Sequence, residues 1–569
     1  MISKVFIVAL ILLIPFHICA QRSRNVTVTN ESKAVAAREL DAVIAEATKL
    51  DDKSAIIHIK SRAAMLVSFS DPVRSETMFL ELWKYVNNVP DADFDKQESR
   101  LVILKYLFSR NPKLARQLLA DQEKLKDSSS QSPPAALDDD QRFATKLASQ
   151  LLDVDASAAA SLLETSMSIS STTASVGALY RLREKDSFLA DYIAGKALEG
   201  LRTQPTGRSL PGITLLTAYV FPGPDASISS SEAESSLALL QFKYFVAAYE
   251  VLRGSLNETN EALLKDLHYT QRDLQLRAAF QGQVAAILAA LAPRLQPSLA
   301  VELTKIAAML APQVPPHISE MTKLALARLS GNGLASEDAE QRFFFYLTNG
   351  DFDEAEKQLD RLKDSKKKEI YTQLLYKNHA KALLAQSDLM AALTLIRKLE
   401  DQTTRLVMYI EAIKAAKKKR DSEVTKIVIN EARLLIPQTD RNGLHVRALL
   451  SLVSQLTDLG NYDDAMELLN NAVVSINALG KKRDDVVATK TPAEAAMTEL
   501  NNPNSMLDAA EMDQAFSLVG LRDLERALLQ ARRIEPTAIQ LVARLETIQG
   551  IIKSPASKPK VGAKPGTGR

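Results

Sequence analysis

The sequence predicts an all-α protein, an α-solenoid of irregular helix-pair repeats. Three observations lead to it. The chain is 46% hydrophobic and 25% charged, with 5% aromatics and 19 glycines in 569 residues; this Ala- and Leu-rich balance favours helix over sheet. Apolar residues recur at helical spacing behind a series of turn signals. The turn signal itself recurs: Asn349-Gly350-Asp351-Phe352-Asp353-Glu354-Ala355 is echoed by Leu459-Gly460-Asn461-Tyr462-Asp463-Asp464-Ala465. Gly350 and Gly460 suit the left-handed conformation that ends a helix. Asp351 and Asn461 suit the cap of the next helix, and the acids behind them suit the positive end of its dipole. A chain this long exceeds one core and divides into subregions.

At the start, Lys4 is a short positive n-region and Val5 to Ile14 an uninterrupted apolar h-region. Pro15 breaks the run, and Ile18-Cys19-Ala20 offers a cleavage site before Gln21. This is the pattern of a secretory signal peptide over 1–20. The run is shorter than the roughly 20 residues a spanning helix needs, so no integral membrane segment is expected after cleavage. Phe16-His17-Ile18 departs from the small-residue lipobox of bacterial lipoproteins, which argues against a lipid anchor at Cys19. Cys19 is the one cysteine. A mature chain from Gln21 therefore has none, which excludes a thiol enzyme, a disulfide framework and a cysteine zinc site. The expected location is secreted or periplasmic. The Asn25, Asn30 and Asn257 sequons matter only in a eukaryotic secretory pathway. The net charge of +2 gives no general attraction to nucleic acid.

Residues 21–33 are polar and read as a loose leader. N-terminal helical repeats follow over 34–202. Leu40, Val43, Ile44 and Ala47 share a face. Ser70-Asp71-Pro72 pairs an Asp cap with Pro at the first helical position, ahead of Phe79, Leu82, Trp83 and Val86. Arg110-Asn111-Pro112 opens a helix with Ala115, Leu118 and Leu119, and Val154-Asp155 one with Ala159 and Leu163. Ser70, Arg110 and Val154 lie 40 and 44 residues apart, within the range of helix-pair repeats. Residues 124–140 are Ser/Pro/Asp-rich and read as a loop. So does a Pro/Ser-rich connection over 203–235, with Pro205, Pro211, Pro222 and Pro224. A middle helical region, 236–340, is punctuated by Pro293, Pro297, Pro312, Pro315 and Pro316.

The C-terminal repeats occupy 341–553. Positions equivalent to Ser70 are Gly350, Ser387, Arg420 and Gly460, spaced 37, 33 and 40 residues. A last unit starts at Arg522-Asp523, after an inserted loop over 480–505. Behind each cap a small-then-large pattern repeats, as in Ala355/Leu359/Leu362 and Ala465/Leu469/Ala472; small residues let helices approach and large ones fill the gap. Residues 554–569 carry Lys558, Lys560, Lys564 and Arg569 with no acid, and read as a basic disordered tail.

On Gly350, Phe352 and Ala355, and again on Gly460, Tyr462 and Ala465, these units resemble tetratricopeptide-like α-solenoids. The resemblance covers 340–535 and, more loosely, 34–170. The Trp-Leu-Gly-Tyr signature of the first helix is absent and the period drifts, so no peptide-binding residue carries over. What the resemblance implies is a right-handed superhelix that binds proteins on its concave face, with no partner specified.

Candidate chemistry is sparse. His58, His268, His317, His379 and His445 are widely separated, and each reads as a surface or cap residue. Asp138-Asp139-Asp140 lacks the alternating ligands and Gly of a calcium loop and reads as a solvated loop capping a helix. Asp353-Glu354 and Asp463-Asp464 answer to the helix dipole. No G-x-S-x-G, P-loop or dinucleotide fingerprint occurs. No metal and no cofactor is expected. Phe343-Phe344-Phe345-Tyr346 is the densest aromatic run. Four consecutive residues on a helix point to several sides, so one or two are candidates for an interaction surface, against packing between repeats. Lys366-Lys367-Lys368, Lys417-Lys418-Lys419-Arg420 and Lys481-Lys482-Arg483 read as solvated helix ends. The functional expectation is an exported, non-catalytic scaffold for protein–protein interaction. The alternatives are an enzyme with paired carboxylates in a helical cavity, or a protein that binds an anionic envelope polymer through the basic runs and tail.

Overall fold

The computed structural model describes residues 28–90, 94–127, 134–169, 171–204, 206–221, 231–259, 271–314, 339–348, 350–436, 442–481, 506–507 and 509–554. The signal segment with Ala20 and Gln21, Cys19, His268, His317, most of the 480–505 insertion and the tail beyond Ser554 lie outside the described residues. The chain forms two compact units. One is Asp51–Thr439; the other joins Met1–Leu50 to Asp440–Arg569. No strand occurs among the described residues.

The first helix, α1, spans Asn30–Ala47 and belongs to the second unit. The 51–439 unit holds α2 (Lys53–Val67), α3 (Pro72–Asn88), α4 (Lys96–Phe108), α5 (Pro112–Asp127), α6 (Pro134–Leu151), α7 (Ala156–Ile169), α8 (Thr173–Lys185), α9 (Ser187–Leu201), α10 (Thr206–Val220), α11 (Ser231–Asn257), α12 (Gln271–Leu295) and α13 (Ala300–Leu310). It continues with α14 (Ala339–Thr348), α15 (Phe352–Leu359), α16 (Ser365–Ala385), α17 (Leu389–Arg397), α18 (Gln402–Lys419) and α19 (Ser422–Leu435). Along most of the series a helix packs on its successor, and in several places on the helix after that: α2 meets α3 and α4, α7 meets α8 and α9, α9 meets α11, and α16 meets α17 and α18. This is the sequential stacking of helical repeats, in which no pair buries its apolar stripe alone.

The caps explain the register. Asp71, Asn111, Asp155, Asp351, Asp388 and Asp421 each accept the backbone N–H three residues on, at 2.9 to 3.3 Å. Each such cap is worth about 1 kcal/mol. The helices before them end in two ways. At Asp71, Asn111 and Asp155 the capping residue's own N–H closes on the carbonyl four residues back. At Asp351, Asp388, Asp421 and Asn461 it reaches five back, to Tyr346, Leu383, Ala416 and Leu456. The residue between is then left-handed: Gly350 (φ 75°), Ser387 (64°), Arg420 (60°) and Gly460 (83°). These are Schellman closures whose last residue also caps the next helix.

Three sequence readings need correction. The connection over 203–235 contains α10, which runs through Pro211 because Leu210, Ile213, Leu216, Tyr219 and Val220 are all fully enclosed; packing outweighs the lost ladder bond. The loop at 124–140 is largely helix, and Asp138-Asp139-Asp140 lies within α6. The leader read over 21–33 gives way to helix at Asn30, since Thr29 caps α1 by accepting the Ser32 N–H at 3.0 Å. Leu274–Leu295 is the one described stretch long and apolar enough to cross a membrane, and 56% of its window is buried inside the protein.

The other unit comprises α1 with α20 (Gly443–Asp458), α21 (Tyr462–Lys481), α22 (Ala510–Arg522), α23 (Leu524–Arg532) and α24 (Thr537–Lys553). Helix α24 is its axis, packed on α22, α23 and α1 and buried at every position from Leu541 to Ile551. The α22–α24 approach needs two glycines. A Cβ on Gly520 would stand 2.2 Å from the Thr547 carbonyl oxygen, and one on Gly550 2.6 Å from Leu521 Cγ.

Candidate interaction surface

Around α9 a buried polar clamp fixes four helices. Asp191, on α9, pairs with Arg183 of α8 at 2.9 Å. It also accepts the Tyr219 hydroxyl of α10 at 2.9 Å and the Ser236 hydroxyl of α11 at 3.3 Å. The Arg183 guanidinium lies 4.4 Å from the Tyr219 ring centre and donates to the Tyr219 carbonyl. Burial, then the nearby Asp191 carboxylate, push the Tyr219 hydroxyl well above the usual tyrosine range, so it remains a donor. The clamp holds α9 and α11 side by side. Further out, Glu199 accepts from Lys243 and Lys196 at 3.1 Å each, and Arg202 pairs with Glu250.

Those pairings run parallel at offsets of 44 to 48 residues and bring four apolar side chains to the outer face. Phe188 is 75% exposed, Leu239 59%, Tyr192 49% and Phe242 48%. On this register Tyr192 is level with Leu237, within a turn of Leu239. A rigid pair of helices thus presents two aromatics and an aliphatic–aromatic pair to solvent, rimmed by lysines and glutamates. Clustered exposed aromatics of this kind mark contact sites, whereas scattered ones do not.

The aromatic run expected to supply the surface is mostly core. Phe343 is fully buried with Ala355, Leu359 and Leu375, so it is no part of an exposed face. Its ring stacks on Tyr371 at 5.3 Å and meets Phe344 edge-on at 5.2 Å. Phe344 and Tyr346 are half-buried against the same cluster, and the Phe345 side chain lies outside the described residues. Tyr371 donates to Glu340, which also takes Lys367 at 2.7 Å. The turn residues Gly350, Asp351, Gly460 and Asn461 serve local geometry as read from the sequence.

Two of the basic runs put a lysine to use within the fold, and the side chains of Lys481-Lys482-Arg483 lie outside the described residues. Lys368 pairs with Asp360 at 2.9 Å, and Lys419 donates to the Ser387 carbonyl at 3.0 Å, reaching from one turn to the turn before it. Lys185 does the same to Leu152 and Gln204 to Ser168, so side chains of one repeat cover the carbonyls that end a helix in the previous repeat. Of the histidines, His58 is buried edge-on to Tyr106 and His445 is buried in the first turn of α20, against the surface reading. His379 stacks on Phe352 at 4.4 Å. Among the described residues no group of three His, Cys, Asp or Glu side chains is placed to hold a metal ion. Among the described residues one open groove of about 480 Å³ lies beside Lys53, Glu81, Lys84 and Tyr85, and another of about 290 Å³ lies between α21 and α23, lined by Asp463, Met466, Arg526 and Leu529.

The α9–α11 face was missed because its signal is dispersed. Phe188 and Tyr192, four apart just behind the Asp186 cap, share a helix face, and Leu239 and Phe242 supply the other half from α11, about 50 residues further along the chain.

No family model matches the chain, and no curated protein matches it. A solved "Circular tandem repeat protein with novel repeat topology and enhanced subunit contact surfaces" aligns over 83% of this chain and 98% of that chain, at 12% identity and a TM-score of 0.21. A superposition that loose carries no argument. The helical-repeat fold rests on the stacking itself.

Proposed function

We propose that this chain is an exported, non-catalytic helical-repeat scaffold that binds a partner protein through the α9–α11 face. The observation that carries the reading is the Phe188, Tyr192, Leu239 and Phe242 patch, held on two helices by the buried Asp191 clamp. Anchors on rigid elements lose little conformational entropy on binding. Export, with cleavage between Ala20 and Gln21, rests on the n-, h- and c-region pattern. The right-handed winding implied by the tetratricopeptide-like turns belongs to the same proposal.

The test is crosslinking in envelope and secreted fractions, comparing the wild-type chain with Phe188→Ser/Phe242→Ser at matched helicity by circular dichroism. A specific protein recovered with the wild type should fall by roughly tenfold or more with the variant, as removal of contact anchors does. Equal recovery by both, or nothing recovered by either, sinks the reading. Mass spectrometry of the mature chain should place its first residue at Gln21.

A further inference from the structure

Helix α1 is joined to the rest of its unit in an unusual way. It lies more than 480 residues from α24 along the chain, and its substantial helix contact among the described residues is with α24. Its buried stripe is Ala36, Glu39, Leu40, Val43 and Ala47, with Glu46 one turn beyond Val43 on the same face. Two arginines meet that stripe. Arg544, 5% exposed, donates Nε to Glu39 at 2.6 Å and its two terminal nitrogens to Glu46 at 2.6 and 3.0 Å. Arg532 takes the other Glu39 oxygen at 2.7 Å. At the far end Lys33 donates to the Ser554 carbonyl at 3.1 Å. Burial alone would weaken the Arg544 charge, but the hydrogen bonds it donates to Glu46 and Glu39, with their negative charges, outweigh it.

The seat is specific. A helix that fits it needs small and branched apolar residues at 36, 40, 43 and 47 with carboxylates at 39 and 46, in one register. A buried Arg left without its acids costs several kcal/mol, so the face rejects helices lacking them. The tether is slight. A helix in a protein draws most of its stability from packing, five residues link α1 to α2, and the division between the two units falls within that link, at Leu50 and Asp51.

We propose that α24 carries a helix-binding site specific for the α1 stripe, and that α1 of a second copy of this chain takes it, so that two molecules exchange their first helices. A second copy carries the matching stripe by identity of sequence, and a short link at a unit boundary is where such exchange costs least.

Charge reversal isolates the exchange. The full chain is made as Glu39→Arg/Glu46→Arg and, separately, as Arg532→Glu/Arg544→Glu. Each alone sets like charges against each other, within a molecule and between identical molecules. Mixed, each α1 faces a matching α24 only on the other molecule. The two are incubated together at a denaturant concentration below the main transition and returned to buffer, and mass is read by light scattering. The mixture should form a one-to-one pair at a level roughly tenfold or more above either variant alone. The chain carrying all four changes should regain the single-chain mass and the protease resistance of α1 seen in the wild type; it also shows that the substitutions permit folding. A mixture that stays at single-chain mass overturns the proposal. So does pairing by either variant alone to the same extent, or a four-fold variant whose α1 remains cleavable.

Discussion

The 51–439 unit contains two concentrations of aromatic side chains with opposite fates. Phe343, Phe344, Tyr346 and Tyr371 close inward between α14 and α16. Phe188, Tyr192 and Phe242 stand outward on α9 and α11. Three of the inward group fall within 343–346, with Tyr371 joining from α16, whereas the outward group is spread over 55 residues, so local density is a poor guide to exposure. Distance from the cap is a better one. Phe188 and Tyr192 lie two and six residues behind Asp186. Met390, two behind Asp388, and Ile427, six behind Asp421, are exposed as well. Those positions point away from the stack, whereas the fourth, exemplified by Ala355, Ala392 and Thr425, is buried in it.

Substitutions test this contrast, and the inward cluster should respond most. Phe343→Ala removes a fully buried ring and should destabilise its unit by about 3–5 kcal/mol in denaturant titration; a loss below about 1 kcal/mol would mean the cluster is not core. Tyr371→Phe keeps the stacking and deletes the hydroxyl that donates to Glu340. It should cost about 1 kcal/mol in the same assay. Next comes a pH effect at the cluster's edge. Burial holds His379 below its ordinary pKa, against the pull of Asp353 and Glu356. The fold prefers the neutral ring, so the unfolded chain takes up a proton more readily. Its contribution is therefore complete above the unfolded value of about 6.5 and is lost as pH falls from there toward the folded value. His379→Gln should flatten the stability slope over that window, and an unchanged slope would assign it to other groups. The outward face should respond least: Phe188→Ser is expected to move stability by less than about 0.5 kcal/mol, and a larger loss would place Phe188 in a contact the fold depends on.

Much of the architecture was legible because the caps are strong local signals. Asp71, Asn111, Asp155, Asp351, Asp388 and Asp421 announce helix starts by chemistry that acts within three residues. Gly350 and Gly460 likewise declare a left-handed turn. Ser387 and Arg420 adopt the same conformation, yet neither residue type favours it; they were found by spacing, which aligned them with the glycines. What stayed illegible depends on tertiary context. Pro211 reads as a breaker until the burial around α10 is known. Asp191 is an ordinary acid in sequence, and its partners lie up to 45 residues away. The pairing of Glu39 with Arg544 spans 505 residues, beyond the reach of any periodicity argument.

That last pairing bears on the order of events at the ribosome. Synthesis delivers α1 long before α24, so α1 waits without its partner while everything between them is made. A prematurely terminated product lacks the receptor for its own beginning and displays an acid-striped amphipathic segment to whatever handles nascent chains. The arrival of α24 is thereby recorded in the tertiary structure, as the concealment of Glu39.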